Sequence, residues 1–169
     1  IQARKLAAIL LQFPPSFVRA PQNRRYLAAL LDALDGLPRA VEVRHASWAT
    51  DRVCAALERR RTTLVALDEP DLPGLFPRLD IVTNPGLFYI RFHGRNAKGW
   101  RSGNMQKQFD YDYSDDELRR WANRRIAKMI RHASSGIIFF NNHVRAQAPR
   151  NAVRLIKLLI ERGLMEMEG

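Results

Sequence analysis

The sequence has a single cysteine, Cys54, so no internal disulfide can form and a reduced, cytoplasmic setting is the expectation. Its longest apolar runs, such as residues 136–140, fall far short of the roughly 20 residues that a membrane-spanning helix needs, so no membrane partner is expected. No secretory signal pattern is visible, and the first residue is Ile1, not Met. A glycine-rich phosphate turn is missing after the first apolar run, which ends in Phe13-Pro14-Pro15. Ser47, Ser134 and Ser135 sit in no Gly-x-Ser-x-Gly elbow, and no His-x-x-x-His spacing links any of the 4 histidines. Lysine is scarce, at 5 against 23 arginines. Acid is outnumbered too, with 28 basic residues against 17 acidic ones, a formal charge of +11 and a pI near 10.8. Such a balance attracts polyanions in general, but the Arg-rich clusters at 59–61, 119–120 and 124–125 fall in helical patterns, where they form a solvated outer face.

What is present is an alternation of two hydrophobic periods over 169 residues, the length of one domain or of part of one. Apolar runs suited to buried strands occur at 8–13, 40–44, 63–67, 87–92 and 136–141. Helical patterns fall at 23–35, 50–61, 114–133 and 149–162. The third opens with the capping box Ser114-Asp115-Asp116-Glu117, and the last is expected to bury Val153, Ile156 and Leu159 or Ile160. Cys54 belongs to the second helix as a small core residue. Four prolines keep 68–86 from being helical, and 93–113 reads as a long polar loop with Trp100 among its cations. Strand and helix in alternation imply a parallel sheet, either open and doubly wound or closed as a (β/α)8 barrel.

The polar residues favour the barrel. Every strand delivers them at its C-terminal end: Gln12, Glu42 with Arg44 and His45, Asp68 with Glu69, Arg91 with His93, and Asn141 with Asn142 and His143. This is the mouth at which parallel barrels build their sites. Residues two apart on a strand share a face, so Glu42 goes with Arg44 and Arg91 with His93; continuing that count puts Asp68 and Asn141 inside as well. Glu42, Asp68 and His93 are then the candidate acids and bases, while Arg44, Arg91, Asn141 and Gln12 are the candidate anion-binding groups. Glu42, His45, Asp68 and His93 also include ligand types that a divalent metal accepts, which makes metal-assisted hydrolysis one candidate reaction. The same charges could instead neutralise one another, Glu42 with one arginine and Asp68 with the other. The expected partner is an anionic small molecule or, if the Arg-rich surface does the binding without catalysis, nucleic acid. His132 and His143 read as helix-end and surface residues.

The segments LLQFPPSF (10–17), VEVRHASW (41–48), Asp68-x-Pro70, YIRFHGRN (89–96), Tyr113-Ser114 with Glu117, Leu118 and Trp121, and FFNNH (139–143) occur here in order. In this the chain resembles the YecE-like family, also catalogued as domain of unknown function 72. The resemblance covers nearly the whole chain and implies a TIM-barrel-like fold with no established activity. It carries over to Gln12, Pro14, Pro15, Glu42, Arg44, His45, Trp48, Asp68, Arg91, His93, Gly94, Asn141 and Asn142. A complete barrel of this kind takes roughly 250 residues, and members begin with about three further strand/helix units. The chain is therefore expected to be a single YecE-like domain over 1–169, representing the C-terminal two-thirds of the barrel and about its last five units. With the first strand as an apolar edge, poor solubility or pairing with another polypeptide is expected.

Overall fold

The computed structural model describes residues 5–166. Its core is one all-parallel sheet of five strands in sequence order, β1 (Ile9–Phe13), β2 (Arg39–Val43), β3 (Thr63–Asp68), β4 (Phe88–Phe92) and β5 (Gly136–Phe140), curled as a half-barrel. The strands lie within about a residue of the runs read from the sequence, because continuous apolar stretches can be buried on both faces only in a parallel sheet covered by helices.

The β1–β2 crossover is α1 (Pro21–Ala33), with Pro21 in its first turn and Leu27 and Leu31 buried. The β2–β3 crossover is α2 (Asp51–Arg59); the Thr50 hydroxyl caps it by accepting from the Val53 N–H at 3.3 Å, and Val53, Cys54 and Leu57 face the core. No helix joins β3 to β4, as the prolines require. After β4 the polar loop contains two single-turn helices, α3 (Ala97–Trp100) and α4 (Met105–Gln108), which sequence periodicity had left out. Each is started by an asparagine cap: the Asn96 side chain accepts from the Gly99 N–H and that of Asn104 from the Lys107 N–H. Next comes α5 (Asp115–Arg120), whose capping box is formed in both directions by Ser114 and Glu117. It continues through a wide π turn (Trp121–Ile126) into α6 (Ala127–Ile130). The final helix is α7 (Gln147–Glu161).

The buried face of α7 departs from expectation. Val153 and Ile156 are 52% and 41% exposed, whereas Gln147, Asn151, Leu155 and Leu159 are buried at intervals of four. Two polar members hid this face from a hydrophobicity count. Asn151 is buried because it is fully used: Nδ2 donates to Asp112 at 2.6 Å, and Oδ1 accepts from the Tyr113 N–H and from Asn142 Nδ2. Among the described residues no helix is long and apolar enough to cross a membrane.

Candidate functional site

The strand register decides which polar side chains meet. Gln12 pairs with Glu42 across β1–β2, and Leu67 with Arg91 across β3–β4, so Gln12, Glu42 and Arg91 lie on one face of the sheet. Arg44 and His93, each two residues further along, extend the same row. On that face Glu42 is fully buried and receives three neighbours. Arg44 Nε donates to Oε1 at 2.8 Å, Arg91 Nη1 donates to Oε2, and His93 Nε2 lies 3.2 Å from Oε1. Arg91 Nη1 also donates to Gln12 Oε1 at 2.5 Å. Arg44 Nη2 in turn lies 3.1 and 3.3 Å from the two ring nitrogens of His93.

Burial alone would raise the Glu42 pKa. The hydrogen bond from His93, with the positive fields of His93, Arg44 and Arg91, outweighs that and holds it down to about 2. For His93 burial is the leading effect and again disfavours the charged form: with the repulsion of Arg44 and Arg91 it overcomes Glu42 and lowers the imidazole to about 4. At neutral pH the cluster is one carboxylate, one neutral imidazole and two guanidiniums. The 93–113 loop lies over it, with Trp100 5.9 Å from the Arg44 guanidinium and the Phe109 ring 6.0 Å from His93. Asn141 hydrogen bonds through its backbone N–H to the Phe92 carbonyl at 2.7 Å, while its buried Oδ1 has no partner among the described residues.

Asp68 is elsewhere, and this corrects the strand count. Val41 pairs with Leu64, and Asp68 with Phe92, so Asp68 shares the helix-facing side with Phe92 and Phe140, not the side of Glu42. There Oδ1 accepts from Arg95 Nε at 2.7 Å and from the Tyr113 hydroxyl at 2.9 Å. Oδ2 accepts from Arg95 Nη2 at 2.5 Å and from the indole of Trp121. Arg95 is shared with Glu117, and the Tyr113 hydroxyl also accepts from the Gly94 N–H at 2.9 Å. Gly94 is obligatory here: φ is +85°, and a Cβ would come 2.7 Å from Cβ of Tyr111.

A family model described as "Protein of unknown function DUF72" matches residues 1–167. The chain belongs to the DUF72 family. Among its relatives, the UPF0759 protein YunF of Bacillus subtilis is 27% identical over 94% of this chain and 60% of its own length. A crystal structure of a DUF72 family protein from Thermotoga maritima superposes with a TM-score of 0.88 at 35% identity, covering 94% of this chain and 60% of that one. One from Enterococcus faecalis gives 0.88 at 30% identity, covering 99% and 62%. This DUF72 chain thus spans about 60% of the length of the relatives it matches.

The four residues grouped as metal ligands do not form one donor set in this DUF72 chain. Glu42 and His93 touch, but Asp68 is on the opposite face. His45 caps a 3-10 turn (Ala46–Trp48): its Nδ1 accepts from the Ser47 N–H and lies 2.8 Å from the Ser47 hydroxyl. Among the described residues no three of His, Cys, Asp and Glu come together in a way that could hold a metal ion. His132 and His143 are exposed, as expected.

The residue that sequence reasoning passed over is Glu69. It is 1% exposed, and neither carboxylate oxygen has a hydrogen-bond partner among the described residues. Burial, reinforced by Glu42 and Asp68 against the pull of Arg44, raises it to about 8, so it holds its proton at neutral pH. A signal was present, since two consecutive acids at a strand end point to opposite faces and one of them had to join Glu42.

Proposed function

We propose that this DUF72 chain is part of a TIM-like (β/α)8 barrel and that the Glu42–Arg44–Arg91–His93 cluster is the anion-accepting end of an enzyme site. The substrate would carry a phosphate or carboxylate, as a phosphorylated sugar does. The observation that carries this reading is that two buried guanidiniums share a single carboxylate beside a neutral imidazole, which leaves one positive charge without a counter-ion. A buried uncompensated charge is costly, and an oxyanion would relieve the cost. On the surface Arg60, Arg119, Arg145 and Arg154 are each paired with an aspartate, whereas the buried cluster holds a guanidinium that no carboxylate matches, and this favours the buried site over a surface-bound nucleic acid.

The chemistry follows from the same contacts. With Nε2–H directed at Glu42 Oε1, the imidazole has Nδ1 as its acceptor, facing Arg44 Nη2. An anion that draws Arg44 away frees Nδ1 and offsets the repulsion that adds to burial in lowering the imidazole, so the bound substrate would make His93 a better general base, oriented by Glu42. Gln12 holds Arg91, and Asn141 Oδ1 is a free acceptor for a substrate hydroxyl. Asp68 has no part in this reading. Calorimetric titration of acetate and of dimethyl phosphate into the full chain at pH 6.5 tests it: the binding of one or the other should weaken about 10- to 100-fold in Arg91→Gln, the worth of a charge-assisted hydrogen bond. Equal affinity in wild type and variant, or no binding of either anion, would overturn the assignment.

A further inference from the structure

We infer that Glu69 sets the charge of this pocket: as a neutral carboxylic acid it leaves the cluster with one net positive charge, fitted to a singly charged oxyanion, and as a carboxylate it closes the site to anions. The inference rests on the reading of the cluster as an anion pocket and adds to it a ligand class and a control. Glu69 follows directly on β3, where the alternation that turns Asp68 towards the helices returns to the face of Glu42. Its side chain is enclosed, and its two oxygens have no hydrogen-bond partner among the described residues, the neighbouring Phe76 N–H, which favours the carboxylate, being directed to the Arg44 carbonyl at 2.9 Å, so no local ion pair fixes its protonation. The charged groups around it are Glu42 on β2, Arg44 just beyond it and Asp68 on β3, with Asp71 and Arg78 in the β3–β4 connection and Arg125 from the π turn. Arg78 is directed to the Glu69 carbonyl and Asp68 is saturated by Arg95, Tyr113 and Trp121, which leaves Arg44 as the cation whose field Glu69 shares with Glu42. A cavity of about 260 Å³ lined by Glu69, Pro70, Leu72, Phe76, Arg78 and Arg125 opens beside it.

Counting charge gives the consequence. Glu42 contributes −1, Arg44 and Arg91 +1 each, and His93 nothing at neutral pH. With Glu69 protonated the sum is +1, and with Glu69 ionised it is zero. The group is poised to change over just above neutrality.

Dimethyl phosphate and acetate each keep a single charge from pH 6.5 to 9.5, so they serve as phosphodiester and carboxylate probes whose own titration does not intrude. Calorimetry on the full chain should show at least one of them binding at pH 6.5 and losing about tenfold or more in affinity by pH 9.5, since the repulsion of a neighbouring buried unit charge is worth that much in a partly buried site. Glu69→Gln keeps the shape and the neutral form, and should hold the pH 6.5 affinity to the end of the range. The same fall in variant and wild type overturns the inference. Carbon-13 observation of the Glu69 carboxyl separates the two readings. A midpoint near 8 upholds its role as the proton-bearing group even if neither probe binds, in which case the pocket reading is the one that fails; a midpoint near 4.5 refutes the Glu69 assignment whatever binds.

Discussion

Asp68→Asn separates a structural keystone from a catalytic acid. In the native protein the carboxylate is fully buried and accepts four hydrogen bonds, two on each oxygen, from Arg95, the Tyr113 hydroxyl and the Trp121 indole. An asparagine offers one oxygen and one NH2. With its NH2 towards Trp121 and Arg95 Nη2 the amide meets two donors and loses both bonds; turned the other way it still meets the Arg95 Nε–H, and only the Tyr113 hydroxyl can turn to accept from it. Arg95 keeps only Glu117 as a charged partner, at 2.9 Å. Removing one partner of a buried charged pair costs about 3–5 kcal/mol, and that is the destabilisation expected here. Urea denaturation at pH 7, followed by tryptophan fluorescence, reads it directly because Trp121 is in the network; the midpoint should fall with the slope unchanged. The anion affinity of the folded variant should stay that of the wild type, because Asp68 lies on the other face of the sheet. A variant within about 1 kcal/mol of wild type that has lost anion binding would refute the face assignment and return Asp68 to the site.

Three further outcomes follow from the same geometry. Glu69 has its pKa raised in the fold from 4.5 to about 8, so its stabilising protonated state is fully present below pH 4.5 and lost as pH rises to 8; His93, lowered from 6.5 to about 4, loses stability as pH falls from 6.5 to 4. The two slopes cancel between 4.5 and 6.5, which leaves a loss of about 2 kcal/mol between pH 6.5 and 8 that belongs to Glu69, and denaturation curves of Glu69→Gln over that window should be flat where wild type declines. Below pH 4.5 Glu42 adds to the acid loss, because a carboxylate held at about 2 in the fold must take up a proton on unfolding, so Glu42→Gln should show a shallower acid limb. Gly94→Ala should cost about 1–3 kcal/mol through its positive φ and the contact with Tyr111, measured as a lowered Tm with the far-ultraviolet spectrum retained.

Much of the scaffold was legible in the chain. Continuous apolar runs bounded by Gly and Pro located all five strands, and Ser114 with Glu117 marked a helix start, because both signals are local. The two turns of helix inside 93–113 were not legible: helices of four residues have no period to detect, and their asparagine caps are ambiguous with ordinary turns. For α7 the buried face ran through Gln147 and Asn151, whose burial depends on hydrogen bonds to Asp110 and Tyr111 in one case and to Asp112, Tyr113 and Asn142 in the other, all but Asn142 more than 30 residues away in sequence.

By itself, the sequence determined the parallel α/β class, the placement of charge at the strand ends and the pairing of Glu42 with Arg44 and of Arg91 with His93. Alternation within a strand is a covalent consequence of extended backbone and needs no partner. Only tertiary structure decided the phase of one strand against the next. β3 is TLVALD with all six residues buried, so neither face is marked by polarity, and a shift of one residue exchanges Asp68 for Glu69 in the site. The hydrogen-bonded register against β2 and β4 made that choice, giving Asp68 to the arginine, tyrosine and tryptophan of the helical layer and leaving the carboxyl of Glu69 beside the arginine cluster.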